Sequence, residues 1–398
     1  MLNEIKAESD IDTRYLYFNQ EEWNRRYNEV IRKVNEKKLD AVIITSTENI
    51  FYLTGFNTTG YYYFQTLVIP AEGEPFLLVR KMERLGALTQ TWLKKENIFS
   101  YYDTEDPLNI LSNKLRKYKK VKKIGYEKES ALFPATHQEK LIYMIPSIEF
   151  IDMFGLVEEI RQCKSDQEVN VMKLAGKATI AGMKSGIESI KVGVSDYEIA
   201  SCIYRDMFKE GGEYPACPSF VAVGERGAIG HATWNGRIVK NNDLVFLEVG
   251  GCKYRYHAPM MRTCYVGSKL PEMIKEAEEL LNECLEKCMD EMKPGTIIRD
   301  VDMLSKRILN RNTFNYIYDN RLGYSVGCAF SPGWGEDTVI TINGTEEREF
   351  KLNMMFHLIP FMMIPGIGSV GISETVQIKE SGAKSLFDFP RKIFLIND

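Results

Sequence analysis

VFLEVGGCKYRYHAPMMRT, residues 245–263, is the stretch on which the fold turns. Val245, Phe246 and Leu247 are apolar in the manner of a buried strand, and Glu248 follows them directly, ahead of Val249 and a glycine pair. A carboxylate in so apolar a neighbourhood needs a partner or incurs a large desolvation cost. Arg255 and Arg262, further along the stretch, could supply that partner. A similar setting recurs in VGISETVQI (370–378), where Glu374 stands among apolar neighbours.

Composition narrows the classes. A chain of 398 residues, 44% of them hydrophobic, is globular and long enough for two or three domains. Charged residues make up 27% and nearly balance, at a formal net charge of −4. That argues against a nucleic-acid or membrane-surface binder. The basic run LRKYKKVKK (115–123) reads as a solvated helix end followed by a strand. No segment approaches the ~20 consecutive apolar residues of a membrane span, and MLNEIKAESDIDTRY (1–15) lacks the apolar centre of a secretory signal. The eight cysteines form no zinc-type pairs, and Cys284 and Cys288 are expected to share a packed helix face. Free thiols without a signal peptide point to the cytoplasm.

The N-terminal part alternates helical and extended patterns. Trp23, Tyr27, Ile31 and Val34 give residues 19–37 a helical stripe. LDAVIIT (39–45) reads as a buried strand, and strands over 64–69 and 75–79 flank a turn at Gly73. VKKIGYE and SIEFIDM add strands, with a helix near 134–144. An α/β domain over residues 1–156 is expected, followed by a second α/β domain over 157–398. Two capping boxes, Ser165 with Glu168 and Ser195 with Glu198, open helices in the second. KVGVSDYEIASCIYRDM (191–207) and MKPGTIIRDVDMLSKRI (292–308) also resemble each other, each following a helix and preceding strand-rich sequence. That offset of about a hundred residues suggests one α/β half used twice, with a site at the junction.

From Lys164 onward the chain resembles the pita-bread (M24, creatinase–prolidase–aminopeptidase P) superfamily, whose metal-dependent members bind two metal ions through two Asp, one His and two Glu. VFLEVGG places Glu248 at the first ligand position, and YHAPMMRT places Pro259 at the second. GYSVG (323–327) has Tyr324 in place of the ligand His, LIPF (358–361) has Ile359, and GISETV (371–376) keeps Glu374. Proline and isoleucine have no side-chain donor atom, and a neutral tyrosine is a poor ligand for a hard dication. The resemblance therefore implies no metal and no cofactor. HATWNGR (231–237), KYRYHAPMMRT, GYSVGCAFSPGWGE (323–336) and FHLIP (356–360) are similar to the metal-independent creatinase and ectoine-hydrolase branch. NIFYLTGFNTTGYYYFQTLVIPAEGEP (49–75) resembles that family's small creatinase-type N-terminal domain, but departs from ectoine hydrolase after LTG. Met261 stands where creatinase has an acidic residue.

Within that resemblance His231 is the expected proton-transfer residue, since an imidazole near neutrality can take a proton from water and return it to a leaving nitrogen. If Glu248 and Glu374 face one cavity, their repulsion raises at least one pKa and favours a cationic ligand. His231, Glu248 and Glu374 are the expected catalytic set. Trp234 either stacks on a planar cation or packs in the core. His257 and His357 either flank the site with hydrogen bonds or are structural. Tyr324 could donate a hydrogen bond or orient water. Arg262 either holds a substrate carboxylate or pairs with Glu248 or Glu374.

The implied reaction is metal-independent hydrolysis of a C–N bond in a small cationic amidine- or guanidine-type compound. The rivals are an Xaa-Pro peptidase and a non-catalytic binding protein of the same fold. A homodimer is expected, with the Tyr61–Phe64 run closing a neighbouring subunit's site or forming a plain edge strand. No nucleic-acid or membrane partner is expected.

Overall fold

The computed structural model describes residues 14–118, 121–314, 316–318 and 320–397. Most of the segment read for a signal, and Lys119 and Lys120 of the basic run, lie outside the described residues. The chain divides into two compact units between Ile160 and Arg161, a few residues past the expected boundary.

The first unit is built on a six-stranded sheet ordered β4-β3-β2-β1-β5-β6. Its strands are β1 (Ala41–Ile44), β2 (Thr66–Pro70), β3 (Phe76–Arg80), β4 (Ile98–Tyr101), β5 (Lys123–Tyr126) and β6 (Glu149–Asp152). β2 and β3 form the expected antiparallel hairpin, with Gly73 at φ 115° in its turn. Asn19 caps the first described helix, Gln20–Glu36, by accepting the Glu22 N–H. The helix buries Trp23, Arg26, Val30 and Val34, so the stripe is rotated from the one expected. Arg26 can be buried because Glu22 and the Tyr52 carbonyl accept its guanidinium. Tyr61–Tyr63 lie in a turn rather than a strand, with Tyr62 exposed, while Phe64 is buried against Phe133.

The second unit repeats one motif. Helices Asp166–Ser189 and Asp196–Lys209 pack as a pair, as do Glu272–Glu291 and Ile298–Leu309. Both capping boxes are formed. The turn within each pair depends on a glycine at φ 89°, Gly193 in one and Gly295 in the other, a backbone region that side-chain-bearing residues rarely enter. Cys284 and Cys288 are buried together on the third helix. The first half carries a four-stranded sheet ordered β17-β9-β8-β7, from β7 (Phe220–Val223), β8 (Leu244–Lys253), β9 (Tyr256–Val266) and β17 (Phe394–Ile396). The second half carries a five-stranded sheet ordered β11-β10-β12-β15-β16. Its strands are β10 (Gly323–Ser325), β11 (Thr341–Ile342), β12 (Met355–Leu358), β15 (Glu374–Lys379) and β16 (Gly382–Ser385). A hairpin of β13 (Phe361–Ile364) and β14 (Gly368–Gly371) adds the last strands. Each half has its own apolar core under its helices. No described helix is long and apolar enough to cross a membrane.

Candidate active site

Strand alternation builds the site. On β8, Val245, Leu247 and Val249 point into the first-half core, which sends Phe246 and Glu248 to the opposite face. In register beside Glu248 stand Phe220 of β7 and Met261 of β9. These residues line a cavity of about 610 Å³ whose other walls include His231, Arg321, Tyr324, Trp334, Asp337 and Ile359. Gly250 lets the indole approach, since a Cβ there would lie 2.5 Å from the Trp334 ring. The loop bearing Trp334 is anchored one residue past Gly335 by Glu336, which is buried and accepts from Arg161 at 2.6 Å and Lys164 at 2.7 Å.

Glu248 is buried, yet no described donor lies within hydrogen-bonding distance of it; His357 Nδ1 stands 4.0 Å from its Oε1. Burial pushes its carboxyl up to about 8, so on its own it is mostly protonated at neutral pH. Neither expected arginine reaches it. Arg255 donates to the carbonyls of Ala329 and Tyr214, and Arg262 is engaged elsewhere. His231 sits exposed at the cavity, its backbone at φ 60°, with its ring 5.4 Å from that of Phe220.

Of three candidate site residues, Glu374 departs from the expectation, while Arg262 and Trp234 take the structural alternatives left open for them. Glu374 does not line the cavity: it accepts from Arg262 Nη2 at 2.7 Å and from the Ser385 hydroxyl. Arg262 is buried in the same pair, donating also to the carbonyls of Met261, Ser373 and Pro390. The cause is parity. Met261 and Ser373 face the cavity side, so their neighbours Arg262 and Glu374 meet behind them. Trp234 is the third: it packs edge-on against Tyr204 at 5.9 Å over the first-half core, and the indole in the cavity wall is Trp334.

The histidines on the strands are buried. His257 Nε2 accepts the Ala216 N–H at 2.9 Å, tying β9 to the segment before Cys217 and Phe220. Burial and then Arg255 hold it well below the usual imidazole range, and it does not line the cavity. His357 bonds Tyr324 through Nδ1 at 2.9 Å and Ser373 Oγ through Nε2 at 2.7 Å. Burial and then Arg262 push it down to about 3, so it is neutral. Tyr324 lines the cavity, and burial followed by Glu248 pushes its phenol well above the ordinary value. Trp334, Arg321, Asp337 and Ser373 escaped the sequence reading; the glycines around Trp334 in PGWGE were the available signal.

The pattern of metallopeptidase family M24 matches residues 170–380, and that of the creatinase/prolidase N-terminal domain matches residues 26–163. The chain belongs to metallopeptidase family M24. Ectoine hydrolase of Halomonas elongata is 31% identical over 401 residues, covering 96% of this chain and 98% of that protein. An uncharacterized hydrolase/peptidase of Sinorhizobium fredii is 28% identical over 96% of this chain and 99% of its own. The prolidase of Pyrococcus horikoshii superposes with a TM-score of 0.80 at 23% identity, over 93% of this chain and 100% of that one, which supports the pita-bread fold. This M24 member is a hydrolase acting on C–N bonds. A metal ion, which the family name implies, does not fit the residues present. Pro259 and Ile359 offer no donor atom, the Tyr324 oxygen is occupied by Trp334, and Glu374 is paired with Arg262. Among the described residues no three His, Cys, Asp or Glu side chains converge as a ligand group.

Proposed function

We propose that the protein hydrolyses a C–N bond of a small cationic amidine- or guanidine-type compound without a metal ion. The unpaired, buried carboxyl of Glu248 in the cavity wall carries this reading. A cation entering the cavity draws the proton off Glu248 and forms a charge-assisted pair with it. Phe220 and Trp334, with ring centres 5.5 Å apart, supply flat apolar walls for a planar cation. His231 takes a proton from water and returns it to the leaving nitrogen. An amidinium carbon is already electrophilic, so a positioned water and a base suffice. Likeness to ectoine hydrolase, whose name states hydrolytic action, supports the same reaction class.

The test is turnover of amidines, cyclic amidines, guanidino acids and Xaa-Pro dipeptides, with and without EDTA. Cationic amidine or guanidine turnover should survive the chelator, and His231→Ala should reduce it by a factor of about 10²–10⁴ while binding persists. Turnover of the dipeptides alone, lost to EDTA, would restore a metallopeptidase. Within this reading the protein works in the cytoplasm as a homodimer, with Tyr61–Phe64 of one subunit close to the other's cavity. A monomer by light scattering at micromolar concentration would remove that arrangement.

A further inference from the structure

Four side chains form a row that starts in the cavity wall, at Trp334 and Tyr324, and runs back behind it. Trp334 Nε1 donates to the Tyr324 hydroxyl at 3.0 Å, and that hydroxyl lies 2.9 Å from His357 Nδ1. His357 Nε2 lies 2.7 Å from Ser373 Oγ, which accepts the Met261 N–H at 2.7 Å. Both ends are fixed, because an indole nitrogen and a peptide N–H can only donate. Only the protons between them have a choice of direction. The neutral His357 ring carries one. If it sits on Nε2, it donates to Ser373, and Tyr324 donates to Nδ1. The Ser373 hydroxyl proton is then left, fully buried, without an acceptor among the described residues, which is costly. If it sits on Nδ1, Ser373 donates to Nε2, the ring donates to Tyr324, and the proton left over belongs to Tyr324. Tyr324 lines the cavity, where water or a ligand can accept. The second arrangement satisfies every group.

We propose that Tyr324 is a hydrogen-bond donor turned into the cavity, forming a subsite for the oxygen that hydrolysis places on the substrate, with His357, Ser373 and Trp334 as positioning residues. This rests on the C–N hydrolase reading. The water oxygen bonds to the amidinium carbon and the bond to the leaving nitrogen breaks. That nitrogen takes its proton through His231, leaving an amide and ammonium. The oxygen is absent from the substrate and present on the intermediate and the amide. A donor that engages only then stabilises the transition state rather than the bound substrate.

Nitrogen-15 shifts of the ring, with His357→Gln to assign it, read the tautomer directly at neutral pH. Protonated Nδ1 is expected, and protonated Nε2 overturns the proposal. Acetamide and acetamidinium, titrated into the full chain and into Tyr324→Phe, test the subsite. Acetamide should bind about tenfold more weakly to the variant, with acetamidinium changed less than about twofold. An equal loss for both probes, no loss for either, or no acetamide binding to the parent also overturns it. Should acetamidinium bind Glu248→Gln as well as the parent, the hydrolase reading falls on its own, while the tautomer still reports on Tyr324.

Discussion

Glu248 and Glu374 occupy similar sequence contexts, each on a strand among apolar neighbours, and the structure gives them opposite fates. Glu374 meets Arg262 at 2.7 Å behind the strands and takes a second hydrogen bond from Ser385. Glu248, on the cavity face, meets no cation and no donor within hydrogen-bonding distance among the described residues, with neutral His357 4.0 Å away. One carboxylate holds the two halves of the second unit together, joining β9 to β15. The other carries its desolvation cost uncompensated, which is the condition of a group whose partner is a ligand. Burial alone does not separate a structural charge from a binding one; whether the protein supplies the counter-charge does.

The comparison breaks most visibly in stability. Arg262→Ala takes the nearest cation from buried Glu374, leaving it Arg391 at 3.9 Å and the Ser385 hydroxyl, and removing one member of a buried pair costs about 3–5 kcal/mol. Glu248→Gln removes a carboxyl with no hydrogen-bond partner among the described residues and should cost less than about 1 kcal/mol at neutral pH. Denaturant unfolding of both variants measures the gap. Similar losses would mean that the two carboxylates play the same part.

Next in size is ligand binding. Glu248→Gln deletes the charge that meets the cation and should weaken acetamidinium by about 1.5–3 kcal/mol, roughly one to two decades. Glu374→Gln should leave that affinity unchanged in whatever fraction remains folded. Calorimetry on the two proteins decides this, and a loss confined to Glu374→Gln would return Glu374 to the cavity.

Much of this was legible in the sequence. The capping boxes at Ser165 and Ser195, the buried strand leading to Glu248, and the repeated helix pairs all follow from local rules that tertiary packing left intact. Glu374 and Arg262 were not placed, because a strand register off by one residue exchanges the faces, and nothing local says on which side Ser373 or Glu374 lies. Trp234 and Trp334 illustrate the same limit. Either indole could stack on a cation, and the choice rests on a contact with Tyr204 and on a gap at Gly250, both distant in sequence.

The smallest effect sharpens the comparison through pH. Burial raises the folded-state pKa of Glu248 from 4.5 to about 8, so a cation must displace a proton to pair with it. Affinity for acetamidinium should rise about tenfold between pH 6 and 7, or about 1.4 kcal/mol, then level off above about pH 8. The Glu248→Gln protein should show no such slope. Folding runs in the opposite sense. A carboxyl whose folded pKa is raised contributes stability that is fully present below 4.5 and is lost as pH climbs through about 8. The Gln variant should therefore gain thermal stability over the parent as the medium becomes alkaline, and the difference should close in acid. Affinity that stays flat between pH 6 and 8, with parallel melting curves for parent and variant, would show that Glu248 is ionised before the cation binds and has a partner in the cavity after all.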